Sequence, residues 1–369
     1  MVQLDVIRAA NTALFQGRPF VAVFAGATSG IGEATLRAFA TASGVHGKGL
    51  RAYVVGRRKE ATEEILADCS RLCPDGNFIF VHAKDLALLE EVDKVCSEIT
   101  RAERETAGKD SAEIDLLFMS QGDFNFSPRR AGYPLIISPD TKEGLEFRVA
   151  LLYYSRMRFI SNLLPLLLAS DLPAHVISVF AAGMEGEFHL NDMSIRDPRH
   201  WGTLTVRSHV CVMHTFFFER LAEQHRGKLS LVHLFPGMVM TKAFQNPGVP
   251  LWGKLMFKIF RPILSVFATP VSESGERTLF LASPQRFPVC RGSGDQPTKA
   301  ASAGSPNLVV ATGTDGKIGS GAYAVDIDGE TCHKAKTIEK YRAEGVGEKI
   351  WEHTMKVFDI IASGNVWAE

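Results

Sequence analysis

The chain has 369 residues, of which 46% are hydrophobic, and this is enough to form a large core. Its 41 basic and 41 acidic side chains give a formal net charge of zero, so the overall charge does not indicate binding to nucleic acid. No run of about 18 uncharged apolar residues is present, and the N-terminus has no basic stretch before an apolar one. We therefore predict neither a transmembrane helix nor a secretory signal peptide.

From the N-terminus, short apolar runs alternate with segments of helical spacing. A leading helix is predicted at residues 4–15, and the six apolar runs lie at residues 21–25, 51–55, 78–81, 114–119, 175–179 and 229–234. Helical segments are predicted at residues 33–40, 59–72, 86–105, 143–169 and 203–225. This regular alternation predicts an α/β fold of Rossmann type, a doubly wound parallel sheet with helices on both faces.

Two stretches interrupt the alternation, a polar loop at residues 182–202 and a loop rich in Gly, Pro and Ser at residues 284–320. We expect residues 1–369 to form a single domain. Its core would span about residues 20–245, followed by a lid and a C-terminal extension of helices and loops at about 246–369.

Six cysteines are scattered along the chain without the C-x-x-C spacing that is typical of zinc sites. Cys69 and Cys73 share one face of a predicted helix, but no second pair of ligands accompanies them. We therefore expect no metal site, free thiols and a cytoplasmic location.

The sequence Gly-Ala-Thr-Ser-Gly-Ile-Gly at residues 26–32 stands between the first predicted strand and its helix. Glycines in this place permit a tight turn and let backbone N–H groups approach a pyrophosphate at the helix N-terminus. The predicted cofactor-binding residues of this turn are Gly26, Thr28, Ser29, Gly30, Ile31 and Gly32. The alternative interpretation is an ordinary glycine-rich turn.

Arg57 and Arg58 directly follow the second predicted strand, where a dinucleotide-binding fold places the group that contacts the adenosine ribose. An acidic residue there binds the 2′-hydroxyl of NAD, whereas arginine suits the 2′-phosphate of NADP. No Asp or Glu ends this strand, so we predict NADP(H) as the cofactor. The alternative is a solvated arginine pair at the start of a helix.

Further motifs follow the later strands. They comprise Asp85-Leu86, Gly122 and the sequence Pro236-Gly237-Met238-Val239-Met240-Thr241. Together with the glycine turn they resemble the short-chain dehydrogenase/reductase family over about residues 20–245. The resemblance implies that Asp85 and Leu86 contact adenine. It also implies that Gly122 belongs to the cofactor site and that Pro236, Gly237, Val239 and Thr241 lie along the nicotinamide half.

Residues 21–32, 151–157 and 319–323 also resemble a branch of this family that is common in fungi, often in secondary-metabolite clusters. The resemblance implies an oxidoreductase that acts on an intermediate of such metabolism.

The catalytic Ser, Tyr and Lys of the family have no counterparts here. Its Tyr-x-x-x-Lys pair falls on Arg207 and Cys211, and its Ser falls near Ala181. Proton transfer near neutral pH requires another acid or base. The candidate replacements are Ser178, Tyr154, His209 and His214.

Each candidate also has a structural interpretation. The histidines are packed or surface residues in that interpretation, Tyr154 belongs to the core, and the neighbouring Arg156 is solvated.

Residues 251–268 are strongly apolar, with Lys254, Lys258 and Arg261 on one helix face. The family has its substrate lid in this region, so the composition favours a lipophilic small-molecule substrate. The alternatives are peripheral contact with a membrane surface, or packing against the domain or a homodimer partner.

Three functions are compatible with this sequence. The first is an NADP(H)-dependent oxidoreductase with unusual catalytic residues, which the nucleotide motifs favour. The second is a redox-neutral cyclase, isomerase or dehydratase, which the missing Tyr and Lys favour. The third is a nucleotide-binding protein without catalytic activity.

Overall fold

A computed structural model of the chain describes residues 2–15, 19–46, 50–122, 140–197, 199–241, 268–290 and 308–368. Within these ranges one parallel sheet contains seven strands, β1 (Phe20–Ala25), β2 (Leu50–Gly56), β3 (Asn77–His82), β4 (Leu116–Met119), β5 (Ala174–Val179), β6 (Leu229–Phe235) and β7 (Ala322–Asp326).

The described helices are α1 (Leu4–Ala13), α2 (Gly30–His46), α3 (Lys59–Leu72), α4 (Leu89–Ala107), α5 (Phe147–Val149), α6 (Ser155–Ala169), α7 (Thr203–Gln224), α8 (Val271–Leu279), α9 (Ala335–Ala343) and α10 (Val346–Ala362). A π-helical turn (Ala150–Tyr154) joins α5 to α6, and a 3₁₀ turn (Phe280–Ala282) follows α8.

The strands lie in the order β3-β2-β1-β4-β5-β6-β7, and every pairing is parallel. Successive side chains of β1 alternate between the two hydrophobic cores: Val21 and Val23 enter one, Ala22 and Phe24 the other. Because all six residues of β1 are buried, both faces of the sheet are covered by helices. The predicted Rossmann-type fold is confirmed.

The long helix predicted from residue 143 begins later, at Phe147. Glu143 instead uses its carboxylate to accept the backbone N–H groups of Leu89 and Glu90, at 2.7 and 2.9 Å, at the start of α4. The side chain of Glu146 accepts the N–H of Val149 at 2.7 Å and so caps the helix that follows. The helical spacing of apolar residues in the sequence includes these capping residues, so the predicted helix started four residues too early.

The seventh strand was not expected, since residues 284–320 read as a loop and no strand was assigned after it. β7 pairs with β6 from Leu231 opposite Ala322 to Phe235 opposite Asp326. The sheet therefore extends into the region beyond residue 245, which the sequence assigned to the extension. The helical part of that extension is α9 and α10, and α10 packs against α7 and α4.

No helix in the described ranges is long and apolar enough to cross a membrane. The six cysteines are free thiols. The cytoplasmic location stays a prediction.

Candidate active site

At two positions of the glycine-rich turn after β1, Gly26 and Gly32, there is no room for a side chain. Gly26 has a φ of +90°, and a Cβ atom added there would lie 2.5 Å from the backbone nitrogen of Gln121. A Cβ atom added to Gly32 would lie 2.5 Å from the carbonyl oxygen of Gly26. Since α2 begins at Gly30, the N–H groups of its first turn lack intrahelical partners at this edge of the sheet.

Loops from neighbouring strands meet at the same turn. A Cβ atom on Gly56, the last residue of β2, would lie 2.5 Å from Cγ2 of Thr28. A Cβ atom on Gly30 would lie 3.3 Å from Cγ2 of Thr241, in the loop after β6. The structure therefore brings together predicted cofactor residues from distant parts of the sequence.

The remaining predicted cofactor residues also follow the carboxyl ends of strands. Arg57 and Arg58 are exposed after β2 and have no ion-pair partner among the described residues. After β3, Asp85 accepts the N–H of Ala87 at 3.0 Å and Leu86 is buried.

Four more predicted cofactor residues lie at the same edge of the sheet, in the segments after β4 and β6. Gly122 is exposed, Pro236 and Gly237 are partly buried, and Val239 is buried. Ser29 is exposed and Ile31 is partly buried on the first turn.

The strand order reverses between β1 and β4, and Gly26 meets Gln121 at this point. Doubly wound sheets bind ligands in the crevice outside the carboxyl ends of the strands at such a reversal. The side-chain oxygen Oε1 of Gln121 is buried there without a hydrogen-bond partner among the described residues. A turn without side-chain bulk, free helix N–H groups and an unsatisfied polar atom fit a bound dinucleotide.

A buried hydrogen-bonded group lies at the carboxyl end of β5. His214 donates from Nδ1 to the carbonyl of Val210 at 2.9 Å, so its Nε2 accepts from the Ser178 hydroxyl at 3.1 Å. Arg156 donates from Nη1 to Oγ of Ser178 at 2.7 Å. The structure thus joins two of the predicted catalytic residues, both fully buried.

The charges in this group are unusual for a protein interior. Burial, reinforced by the charge of Arg156, lowers the pKa of His214 to about 3, so this histidine is neutral at pH 7. Burial also lowers the pKa of Arg156 to about 9. Its guanidinium donates to the carbonyl oxygens of Val179 and Gln121, at 2.9 and 2.6 Å, and has no carboxylate partner in the described part of the chain. Arg156 is therefore a buried residue, contrary to the solvated alternative.

Tyr154 contacts a different part of the molecule. Its hydroxyl lies 2.6 Å from Nε2 of His353 on α10 and 3.2 Å from Oγ of Ser194. Trp367, near the C-terminus, donates from Nε1 to the same Ser194 oxygen at 3.0 Å. The C-terminal region therefore contributes directly to the surroundings of Tyr154.

His209 is held in a third environment. Its ring stacks on Phe188 with centroids 4.3 Å apart, and Nε2 donates to the carbonyl of Met193 at 3.0 Å. Its Nδ1 accepts the backbone N–H of His189 at 3.3 Å. Burial lowers the pKa of His209 to about 3. A catalytic role for any of the four predicted residues stays a prediction.

The contacts of His353 and Trp367 around Tyr154 were not predicted from the sequence, in which both residues are separated from Tyr154 by about 200 positions. No spacing rule connects such distant positions, so only the fold reveals them. The predicted lid at residues 251–268 lies outside the described residues except for Ala268.

No protein-family model matches the chain. A protein of Stachybotrys chartarum described as a short-chain dehydrogenase/reductase is 36% identical over 371 residues, which cover 99% of each chain. An oxidoreductase of Emericella nidulans is 32% identical over 365 residues, covering 97% of this chain and 98% of the relative. An oxidoreductase of Emericella variicolor is 31% identical over 362 residues, covering 98% of both.

Among solved structures, L-sorbose reductase from Gluconobacter frateurii, complexed with NADPH and L-sorbose, superimposes with a TM-score of 0.48 at 18% identity. The superposition covers 73% of this chain and 91% of that chain.

Proposed function

The chain belongs to the short-chain dehydrogenase/reductase family of oxidoreductases, and from this premise we propose that it is an NADP(H)-dependent enzyme acting on a lipophilic small molecule of fungal secondary metabolism. The observation that carries the proposal is the contact of Gly26 with Gln121 at the reversal of strand order, where side-chain bulk is excluded.

In this proposal the N–H groups at the start of α2 bind the pyrophosphate, and Arg57 and Arg58 bind the 2′-phosphate. Gly122 and the loop from Pro236 to Thr241 border the nicotinamide half. The bound cofactor would supply or accept a hydride.

The residues of the chain itself would position the substrate and manage the proton. Ser178 and His214 form the pair at the end of β5, and Tyr154 is paired with His353. We keep these residues and His209 as the candidate acids and bases.

A redox-neutral cyclase, isomerase or dehydratase is the second candidate function. It is supported by the prediction from the sequence that Arg207 and Cys211 take the places of the family's Tyr and Lys. The buried thiol of Cys211 donates to the carbonyl of Ala181 at 2.9 Å and does not replace a lysine cation. A non-catalytic nucleotide-binding protein is the remaining alternative.

The cofactor proposal is tested by fluorescence titration of the full chain with NADPH and NADH. We expect NADPH to bind at least about tenfold more tightly, because each charge-assisted hydrogen bond contributes roughly 1.5–3 kcal/mol. The double variant Arg57→Gln/Arg58→Gln should lose this preference and keep its affinity for NADH. Arg104→Gln, an exposed arginine on α4, is the control. Equal affinity of the unaltered protein for the two nucleotides would remove the NADP(H) assignment.

The reaction class is tested with a panel of lipophilic ketones and the corresponding alcohols. An oxidoreductase changes the nicotinamide absorbance in proportion to product. A redox-neutral enzyme forms product at constant absorbance, and a binding protein forms none.

A further inference from the structure

The described arginines fall into two groups, those that form an ion pair with a carboxylate and those that do not. Most described arginines form ion pairs with carboxylates, for example Arg51 with Glu103 and Arg158 with Asp93. Four described arginines that follow or overlie the carboxyl ends of the strands have no such partner. They are Arg57, Arg58, Arg156 and Arg207.

Arg207 is the member of this set that lies on α7, the helix that also carries His214. It sits one helical turn before Cys211, on the same face of α7. Cys211 in turn contacts the carbonyl of Ala181, two residues beyond the end of β5. Arg207 thus lies beyond the carboxyl end of β5, on the helix whose His214 contacts Ser178.

The guanidinium of Arg207 is partly desolvated and incompletely bonded. The residue is partly buried, and its Nε is fully buried with no hydrogen-bond partner among the described residues. A buried donor without a partner costs roughly 1–3 kcal/mol. An oxygen ligand supplied from outside the described chain would remove this cost.

Glu185, a buried carboxylate whose charge also acts on Cys211, is engaged with other partners. Its oxygens accept the backbone N–H groups of Gly183 and Lys334, at 3.3 and 3.2 Å, and the hydroxyl of Thr215 at 3.5 Å. Burial, followed by the charge of Glu185, raises the pKa of the Cys211 thiol, whereas the charge of Arg207 opposes this rise. Both charges thus act on Cys211 without forming an ion pair with each other.

We propose that Arg207 binds an anionic oxygen of the substrate, a carboxylate or enolate carried on an apolar scaffold. A guanidinium offers two parallel N–H donors that match such a group, and it remains charged at any physiological pH. The proposal rests on the proposed function in that it takes the carboxyl end of β5 as the substrate site, and it narrows the substrate class to lipophilic acids.

The test uses octanoate and octanamide, which share an apolar tail and differ in charge. Their binding to the full chain loaded with NADPH is measured by calorimetry. We expect octanoate to bind at least about tenfold more tightly than octanamide, as one charge-assisted contact predicts. Arg207→Gln should lose this difference, Arg207→Lys should restore part of it, and Arg104→Gln should keep it.

Equal binding of the two probes to the unaltered protein, or an unchanged octanoate affinity in Arg207→Gln, would overturn the inference. Thermal unfolding of each variant shows whether it is folded, and Arg207→Lys serves as the folded comparison if Arg207→Gln is not. Titrations without NADPH separate the two proposals. Charge-selective binding of octanoate by a chain that does not bind NADPH contradicts the proposed function alone. NADPH binding without charge selectivity contradicts the anion site alone.

Discussion

The candidate active site has two ends on the same edge of the sheet, which we call the nucleotide end and the catalytic end after their proposed roles, and different groups form them. At the nucleotide end, backbone atoms form the site, and glycines are required because Cβ atoms would collide with Gln121 and with the turn itself. At the catalytic end, buried side chains from β5, α6 and α7 form the site around Arg156. Glycine requirements are set by local geometry, whereas the side-chain network depends on the whole fold.

The two ends also differ in how they treat charge. The predicted phosphate contacts Arg57 and Arg58 are exposed to solvent. Arg156 is fully buried, no carboxylate among the described residues pairs with it, and its charge helps to keep His214 neutral. Changes of Arg57 or Arg58 should therefore act on cofactor affinity, and changes at the catalytic end on stability, its pH dependence and turnover.

The largest effect is expected from adding a methyl group to the nucleotide turn. Gly26→Ala should lower the free energy of unfolding by about 1–2 kcal/mol, because alanine is strained at a positive φ. The clash of its Cβ atom with Gln121 should lower it by roughly another 1–3 kcal/mol. Displacement of the turn should weaken NADPH binding by more than about tenfold. Fluorescence titration and urea unfolding measure the two quantities.

Gly108→Ala is a matched control for this change. Gly108 has a φ of +89°, almost the same as Gly26, but a Cβ atom there would meet nothing within 4 Å. It should show the backbone cost alone and normal NADPH binding. Equal behaviour of the two variants would mean that the contact with Gln121 does not shape the nucleotide site.

The two ends of the candidate site also differ in how far the sequence could predict them. The glycine turn was recognisable because its motif is contained in seven consecutive residues. The alternation of predicted strands and helices put this motif directly after the first strand, where the structure has it. The pairing of Tyr154 with His353 was not recognisable, because the two residues are 199 positions apart and meet only where α10 packs into the fold. The seventh strand was missed for a related reason. It is five residues long and follows an irregular loop.

An intermediate effect is expected from acid. The pKa of His209 is about 3 in the folded protein and 6.5 as its ordinary value, so the unfolded chain binds more protons between these pH values. Its contribution to stability is complete above pH 6.5 and is lost as the pH falls towards 3. His209→Gln can retain both ring hydrogen bonds through its amide. It should reduce the slope of unfolding free energy against pH by about 1.4 kcal/mol per unit.

Urea unfolding at a series of pH values measures this slope. His82→Gln, at an exposed position on β3, controls for the loss of a histidine. An unchanged slope in His209→Gln would show that this side chain does not remain neutral in the folded protein. Arg57→Gln should leave the slope unchanged, since it alters only the nucleotide end.

The smallest effect is expected at the C-terminus, where Trp367→Phe removes the hydrogen bond to Ser194 and keeps most of the aromatic packing. The expected loss of stability is about 1 kcal/mol. Because Ser194 also contacts Tyr154, turnover of a reactive ketone should fall while NADPH affinity stays the same. Val366→Ala, at a neighbouring side chain that is 60% exposed, should change neither quantity. A loss of NADPH affinity in Trp367→Phe comparable to that in Gly26→Ala would show that the two ends act as one unit.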